Sequence, residues 1–98
     1  MSAVVLEGGR LMLEGEITSA TVAALLDDAL AHVRADAETI DFAAVSDVDS
    51  AAVALALACV REARAFDRTV SFSNLPPKFL DLARLYNVSE LFPDAASV

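Results

Sequence analysis

Asp41, Asp47 and Asp49 stand close together in the sequence, and Ser50 follows at once. Three carboxylates at such spacing could hold a magnesium ion, since hard cations prefer oxygen ligands. Aspartates at strand ends and helix starts more often bind backbone amides and face the positive end of the helix dipole. Asp41 and Asp47 are therefore read as structural or capping residues, and no metal is expected. Ser50 stands beside the free amides of a helix start, which favour a negative group, whereas Asp47 and Asp49 would repel one.

Other chemistry is absent. Glycines occur only at 8, 9 and 15, so there is neither a GxGxxG fingerprint nor a GxxxxGK[ST] phosphate loop, and no serine sits in GxSxG. One histidine and one cysteine cannot build a zinc site of the usual ligands. His32 lies four residues after Asp28 and reads as half of a weak surface pair. No nucleophile–base pair is visible. The expectation is a protein that is not an enzyme and needs no cofactor.

The elements that position these residues fit in one domain, 1–98. The chain has 98 residues, 56% of them apolar, enough for a core without disulfide or metal staples. Net charge is −8 with a single lysine, Lys78, which argues against nucleic acid and against adhesion to an anionic membrane. The longest apolar run, Ala51 to Val60, is far short of the roughly 20 residues of a membrane span. No signal peptide is visible, and the lone Cys59 cannot pair internally. A cytoplasmic setting is expected.

Ala3 to Glu7 and Arg10 to Glu14 read as a hairpin around Gly8-Gly9. From Thr18 the apolar period becomes helical: Val22, Leu25, Leu26, Ala29, Leu30 and Val33 share one face, with Thr18 or Ser19 as the cap. Thr39 to Phe42 is a strand, with Val45 to Val48 as a ragged continuation. A second helix runs from about Ser50 to Phe66, and Thr69 to Ser73 is a strand. A third helix follows Pro76-Pro77, with Asn87 as its left-handed end. Leu91 and Phe92 begin a tail, Ser89 to Val98, expected to be partly docked. The order ββαβαβα calls for an α/β fold with a mostly parallel four-stranded sheet covered by helices.

The second helix is unusual. No polar side chain occurs between Ser50 and Arg61, although a surface helix normally shows only one apolar stripe. Val53, Leu57 and Val60 are assigned to the sheet side, with Ala52, Leu55, Ala56 and Cys59 on the flanks. Ala51, Ala54 and Ala58 then form a flat outward patch with Ser50 at its rim. A flat patch of small residues lets another protein approach closely. The expected partner-binding residues are Asp49, Ser50, Ala51, Ala52, Ala54 and Ala58. Exposed alanines could also pair the isolated domain with itself as a homodimer.

The segment IDFAAVSDVDSAAVALALACVREAR resembles the core of STAS domains, the family of bacterial anti-sigma factor antagonists and of sulfate-transporter tails. Asp41 matches the family's strand aspartate and Asp49-Ser50 its Asp-Ser/Thr pair. The family usually carries glycine where this chain has Ala52. LEGEITSATVAALLDDAL is similar to the family's second strand and first helix. VDSAAVALAL and ARLYNVSELFP are similar to the MlaB-like branch, the small STAS subunits of phospholipid ABC transporters. The resemblance implies a cytoplasmic protein that binds and stabilises or regulates the transporter's ATPase, peripheral to the inner membrane only through that partner. It implies as the alternative an anti-sigma factor antagonist, partner of a kinase-like anti-sigma factor and switched by phosphorylation of Ser50.

Overall fold

The computed structural model describes residues 2–92. Strands β1 (Ala3–Glu7) and β2 (Arg10–Ile17) precede helix α1 (Val22–Ala35). Strand β3 (Thr39–Val48), helix α2 (Ser50–Ala65), strand β4 (Ser71–Ser73) and helix α3 (Pro77–Leu85) follow, with a 3-10 turn at Ser89–Leu91. The strands lie side by side in the order β1-β2-β3-β4. The first pair is antiparallel and the other two are parallel, so the sheet is mixed, with its parallel part made by the crossovers.

Gly8 and Gly9 close the hairpin with φ of 56° and 83°. A two-residue turn matching strand twist needs positive φ at both positions. β2 runs on to Ile17, beyond the expected end at Glu14. At two register shifts, Met12/Glu14 and Gly15/Glu16, the extra residue lies on β3, which bends β3 along β2.

Alternation sends Leu11 and Leu13 of β2, Ile40 and Phe42 of β3 and Phe72 of β4 into the core. Right-handed crossovers between neighbouring parallel strands place α1 and α2 on that same face. α3 joins them: Phe79 meets Phe42 edge-on, with centroids 5.3 Å apart. Phe92 closes the cluster against Phe72 and Phe79, at 5.0 and 5.2 Å. The docked start of the tail is therefore seen at Phe92, and the rest of that expectation lies outside the described residues. Arg10, Met12, Glu14, Thr39, Asp41, Ser71 and Ser73 alternate onto the opposite face of the sheet.

Helix ends differ in how their backbone groups are satisfied. α1 starts at Val22, later than the expected Thr18 or Ser19 cap. The Thr18 carbonyl accepts the Thr21 and Val22 amides, while the Thr21 hydroxyl accepts the Thr18 amide and donates to the Glu16 carbonyl. Local hydroxyl bonding of this kind holds residues 18–21 in a turn instead of a helix. α2 and α3 end alike. Asp67 and Asn87 take φ of 56° and 60°, and the amides of Arg68 and Val88 reach back to the carbonyls of Ala63 and Ala83. Both are Schellman ends. The Arg68 guanidinium then binds the Val33 and Ala37 carbonyls, tying the end of α2 to the end of α1.

Candidate docking site

Two chain turns meet where β2 and β3 end, residues 18–21 and the Asp49–Ser50 step, while the Asn74–Pro77 turn begins further back along β3, with Asn74 at Asp41. Asp49 is the N-cap of α2. One carboxylate oxygen accepts the Ala51 amide at 2.8 Å and the other accepts the Ser19 amide at 3.0 Å. Asp49 was expected in the partner-binding set. Its carboxylate is engaged by this chain, setting where α2 begins relative to the turn before α1.

Ser50 is the first residue of α2 and is exposed. Ala54 is exposed, and Ala51, Leu57 and Ala58 are half-buried. Ser50, Ala54, Leu57, Ala58 and Arg61 fall at helical spacing, so one ridge runs outward along α2. Ala52 was expected to meet a partner, but its relative exposure is 0%. Its methyl points into the core, out of a partner's reach.

The inward face of α2 also differs from the expectation. Ala52, Val53, Leu55, Ala56, Cys59 and Ala63 are buried, whereas Leu57 and Val60 are half-exposed. The sheet supplies the bulk of the core through Leu11, Leu13, Ile40 and Phe42. Small helix residues therefore fit inside, and larger ones are left at the flank. Leu57 is thus a ridge residue that its size had assigned to the core. Its spacing from Ser50 and Ala54 was the available signal.

The three aspartates do not converge on a cation. No cluster of His, Cys, Asp or Glu among the described residues could hold a metal ion. Asp41 lies on the helix-free face, bound by Arg10 at 3.0 Å, Asn74 at 2.9 Å and the Ala43 amide at 2.9 Å. Burial pushes its carboxyl up, but the bonds from Asn74, the Ala43 amide and Arg10 outweigh burial and hold it below its ordinary value. Asp47 accepts Lys78 at 3.1 Å and the Val48 amide at 2.9 Å. Those contacts, with the Lys78 charge, lower its carboxyl too. Asp41 is the last β3 residue paired with β4 and Asp47 lies beyond that pairing, and the amides they bind, of Ala43 and Val48, belong to the strand rather than to a helix start.

His32 contacts Asp36 at 3.4 Å rather than the expected Asp28. The pair lies in the last turn of α1 and is exposed. Cys59 is buried, and burial pushes its thiol up to about 12, which leaves it a small apolar side chain. An open groove of about 360 Å³ between the end of α2, β4 and Phe92 brings no acid–base pair or phosphate cradle together.

The family model described as "Mlab, STAS domain" matches residues 3–93. The chain belongs to the STAS family. No curated protein matches this STAS domain. Solved structures do. An anti-sigma factor antagonist from Mycobacterium paratuberculosis is 21% identical, with a TM-score of 0.74 over 95% of this chain and 82% of that one. The Bacillus cell fate determinant SpoIIAA in its phosphorylated form is 17% identical, with a TM-score of 0.67 over 94% and 88%. Unphosphorylated SpoIIAA is 19% identical, with a TM-score of 0.64 over 87% and 83%. At these identities the likeness establishes the fold. The STAS fold places the Asp49–Ser50 step at the exposed start of α2, with Ala52 beneath it in the core. Among the described residues no helix is long and apolar enough to cross a membrane.

Proposed function

We propose that this STAS domain is a non-enzymatic, MlaB-like subunit that docks on the cytoplasmic ATPase of a phospholipid ABC transporter. The contact is the α2 ridge, made of Ser50, Ala51, Ala54, Leu57 and Ala58. The observation that carries the reading is this ridge, an outward apolar surface beginning at a capped helix start. Asp49 supports it from beneath, and the Asp47–Lys78 pair stands at its edge. The match to the MlaB-type family model favours this branch of the family. A standard interface covers roughly 800 Å² per partner, more than one helix face, so the residue 18–21 turn and the start of α3 contribute to it.

Leu57→Arg tests the reading in a pull-down with the purified transporter ATPase. Leu57 also packs partly against the core, so native circular dichroism is checked first, and the natively folded variant should lose capture. Full capture by a natively folded Leu57→Arg protein would place the contact elsewhere.

The exposure of Ser50 favours a second reading, an anti-sigma factor antagonist released from its partner by phosphorylation of Ser50. A phosphoserine carries about −1.5 to −2 charges, and covering that charge on an apolar ridge is costly. Under this reading Ser50→Glu frees a kinase-like anti-sigma factor and Ser50→Ala retains it. An intact mass from cells without any phosphate adduct, in growth and in stationary phase, counts against it.

A further inference from the structure

β1 is an edge strand, and its one neighbour among the described strands is β2. Glu7 and Arg10 flank the two-residue turn. Residues flanking such a turn exchange hydrogen bonds within the hairpin, and the pattern alternates from there. Val5–Met12 and Ala3–Glu14 are then bonded pairs too. Val4 and Leu6 therefore direct their backbone N–H and C=O groups away from β2, towards the open edge. Natural edges are blunted by proline, lysine, bulges or a covering segment. Between Ala3 and Leu6 this one has no proline, no charge and an unbroken register with β2.

The side chains are arranged for the same purpose. Val4 and Leu6 pack against the core. Val5 and Met12, partners across the hairpin, are half-buried on the helix-free face.

We propose that β1 is a self-pairing edge that adds antiparallel to β1 of a second copy, centred on Val5. In that register Val5 faces Val5, Val4 faces Leu6 and Ala3 faces Glu7. The outward groups of Val4 and Leu6 form the bonded pairs, about four inter-chain hydrogen bonds in all. On the helix-free face one apolar row runs Met12, Val5, then Val5 and Met12 of the second copy. On the helix side Leu13 and Val4 continue into Leu6 and Leu11 of the second copy. Each Glu7 has its own Arg10 on one side and a small alanine on the other, so no carboxylate opposes another. Parallel pairing would set Glu7 beside Glu7, which is unfavourable. This self-complementarity under a two-fold axis identifies a second copy as the occupant rather than a foreign strand. The joined sheet leaves the α2 ridge of each copy free. With −8 on each chain, association is weak and strengthens as salt screens the repulsion.

The test uses the whole chain. Sedimentation between about 20 μM and about 1 mM spans the range expected for a weak dimer, and Val4 and Leu6 amide exchange is followed over the same range. Val5→Cys is oxidised beside Ala23→Cys, an exposed control on α1. Facing Val5 residues in a non-bonded pair have Cα atoms about 4.5 Å apart, within disulfide reach, and buried Cys59 adds no background. The expected result is a concentration-dependent dimer with slowed exchange at Val4 and Leu6. Val5→Cys should cross-link at least about tenfold faster than the control, a difference of roughly 1.4 kcal/mol. Val4→Pro removes an outward N–H without breaking a hairpin bond and should abolish the dimer, while Ala54→Glu should leave it intact. The proposal is overturned if Val5→Cys links no faster than Ala23→Cys and the two amides ignore concentration. It is equally overturned if Ala54→Glu dissociates the dimer and Val4→Pro does not, since the contact is then on α2.

Discussion

The Asp49 carboxylate binds the Ser19 amide at 3.0 Å while its other oxygen caps α2 at Ala51. One side chain thus caps α2 and ties its start to the turn that precedes α1. The ridge can present a defined surface because its first turn is held from both sides.

Asp49→Ala removes the cap, a loss of about 1 kcal/mol, and leaves the Ser19 amide to water. The expected total is about 1–2 kcal/mol by urea denaturation, with an unchanged m value. Asp49→Asn keeps an acceptor oxygen and should lose less than half of that. Equal stability of the alanine variant and wild type would show that the α2 start is held by packing alone.

Asp41 should contribute to the acid limb of stability. Its carboxyl sits below the ordinary value of 3.8 in the folded chain. Its contribution is therefore complete above that value and disappears as pH falls through the folded value. Asp41→Asn should destabilise the protein at pH 7 and weaken the acid dependence below about pH 4, where the wild-type carboxylate gains its proton. Stability curves at pH 7 and pH 3 check this. Parallel curves for the two proteins would remove Asp41 from the account.

Much of this was legible in the residues. The hairpin, the helical period from Val22 and the Pro77 start of α3 all follow from local chemistry. The Asp49–Ser50 step was legible as a helix start, because Asp-Ser before an apolar run has few other uses, although Asp49 was assigned to a partner rather than to the cap. Long-range partners were not. Nothing local tells Ser19 from Thr18 as the residue Asp49 would hold. The Arg34–Glu62 pair at 2.7 Å depends on how α1 lies against α2. The inward face of α2 was misassigned because size stood for burial. Whether a helix offers alanine or leucine to a sheet depends on how much volume the sheet has already filled, and one segment cannot say that. Ala52 illustrates the point: read as a contact residue, it lies wholly inside.

Phe79 should be the least replaceable residue of α3. It is fully buried and meets Phe42 and Phe92 edge-on. Phe79→Ala should cost about 3–5 kcal/mol, a large share of the roughly 5–15 kcal/mol that holds a domain folded. Phe79→Leu should cost well under that. Thermal melts with near-ultraviolet dichroism separate the two. A cost under about 1 kcal/mol for the alanine variant, smaller than the usual deletion of a core ring, would mean that α3 is not anchored through this ring.

The central claim is that the outward side of α2 is a protein contact, and Ala54 is its most exposed member along the apolar run. Titration calorimetry of Ala54→Glu against the transporter ATPase tests it most directly. An unpaired carboxylate at a buried contact costs several kcal/mol, so affinity should fall by about a hundredfold or more while the circular dichroism spectrum stays native. Wild-type affinity from a natively folded Ala54→Glu protein would contradict the account.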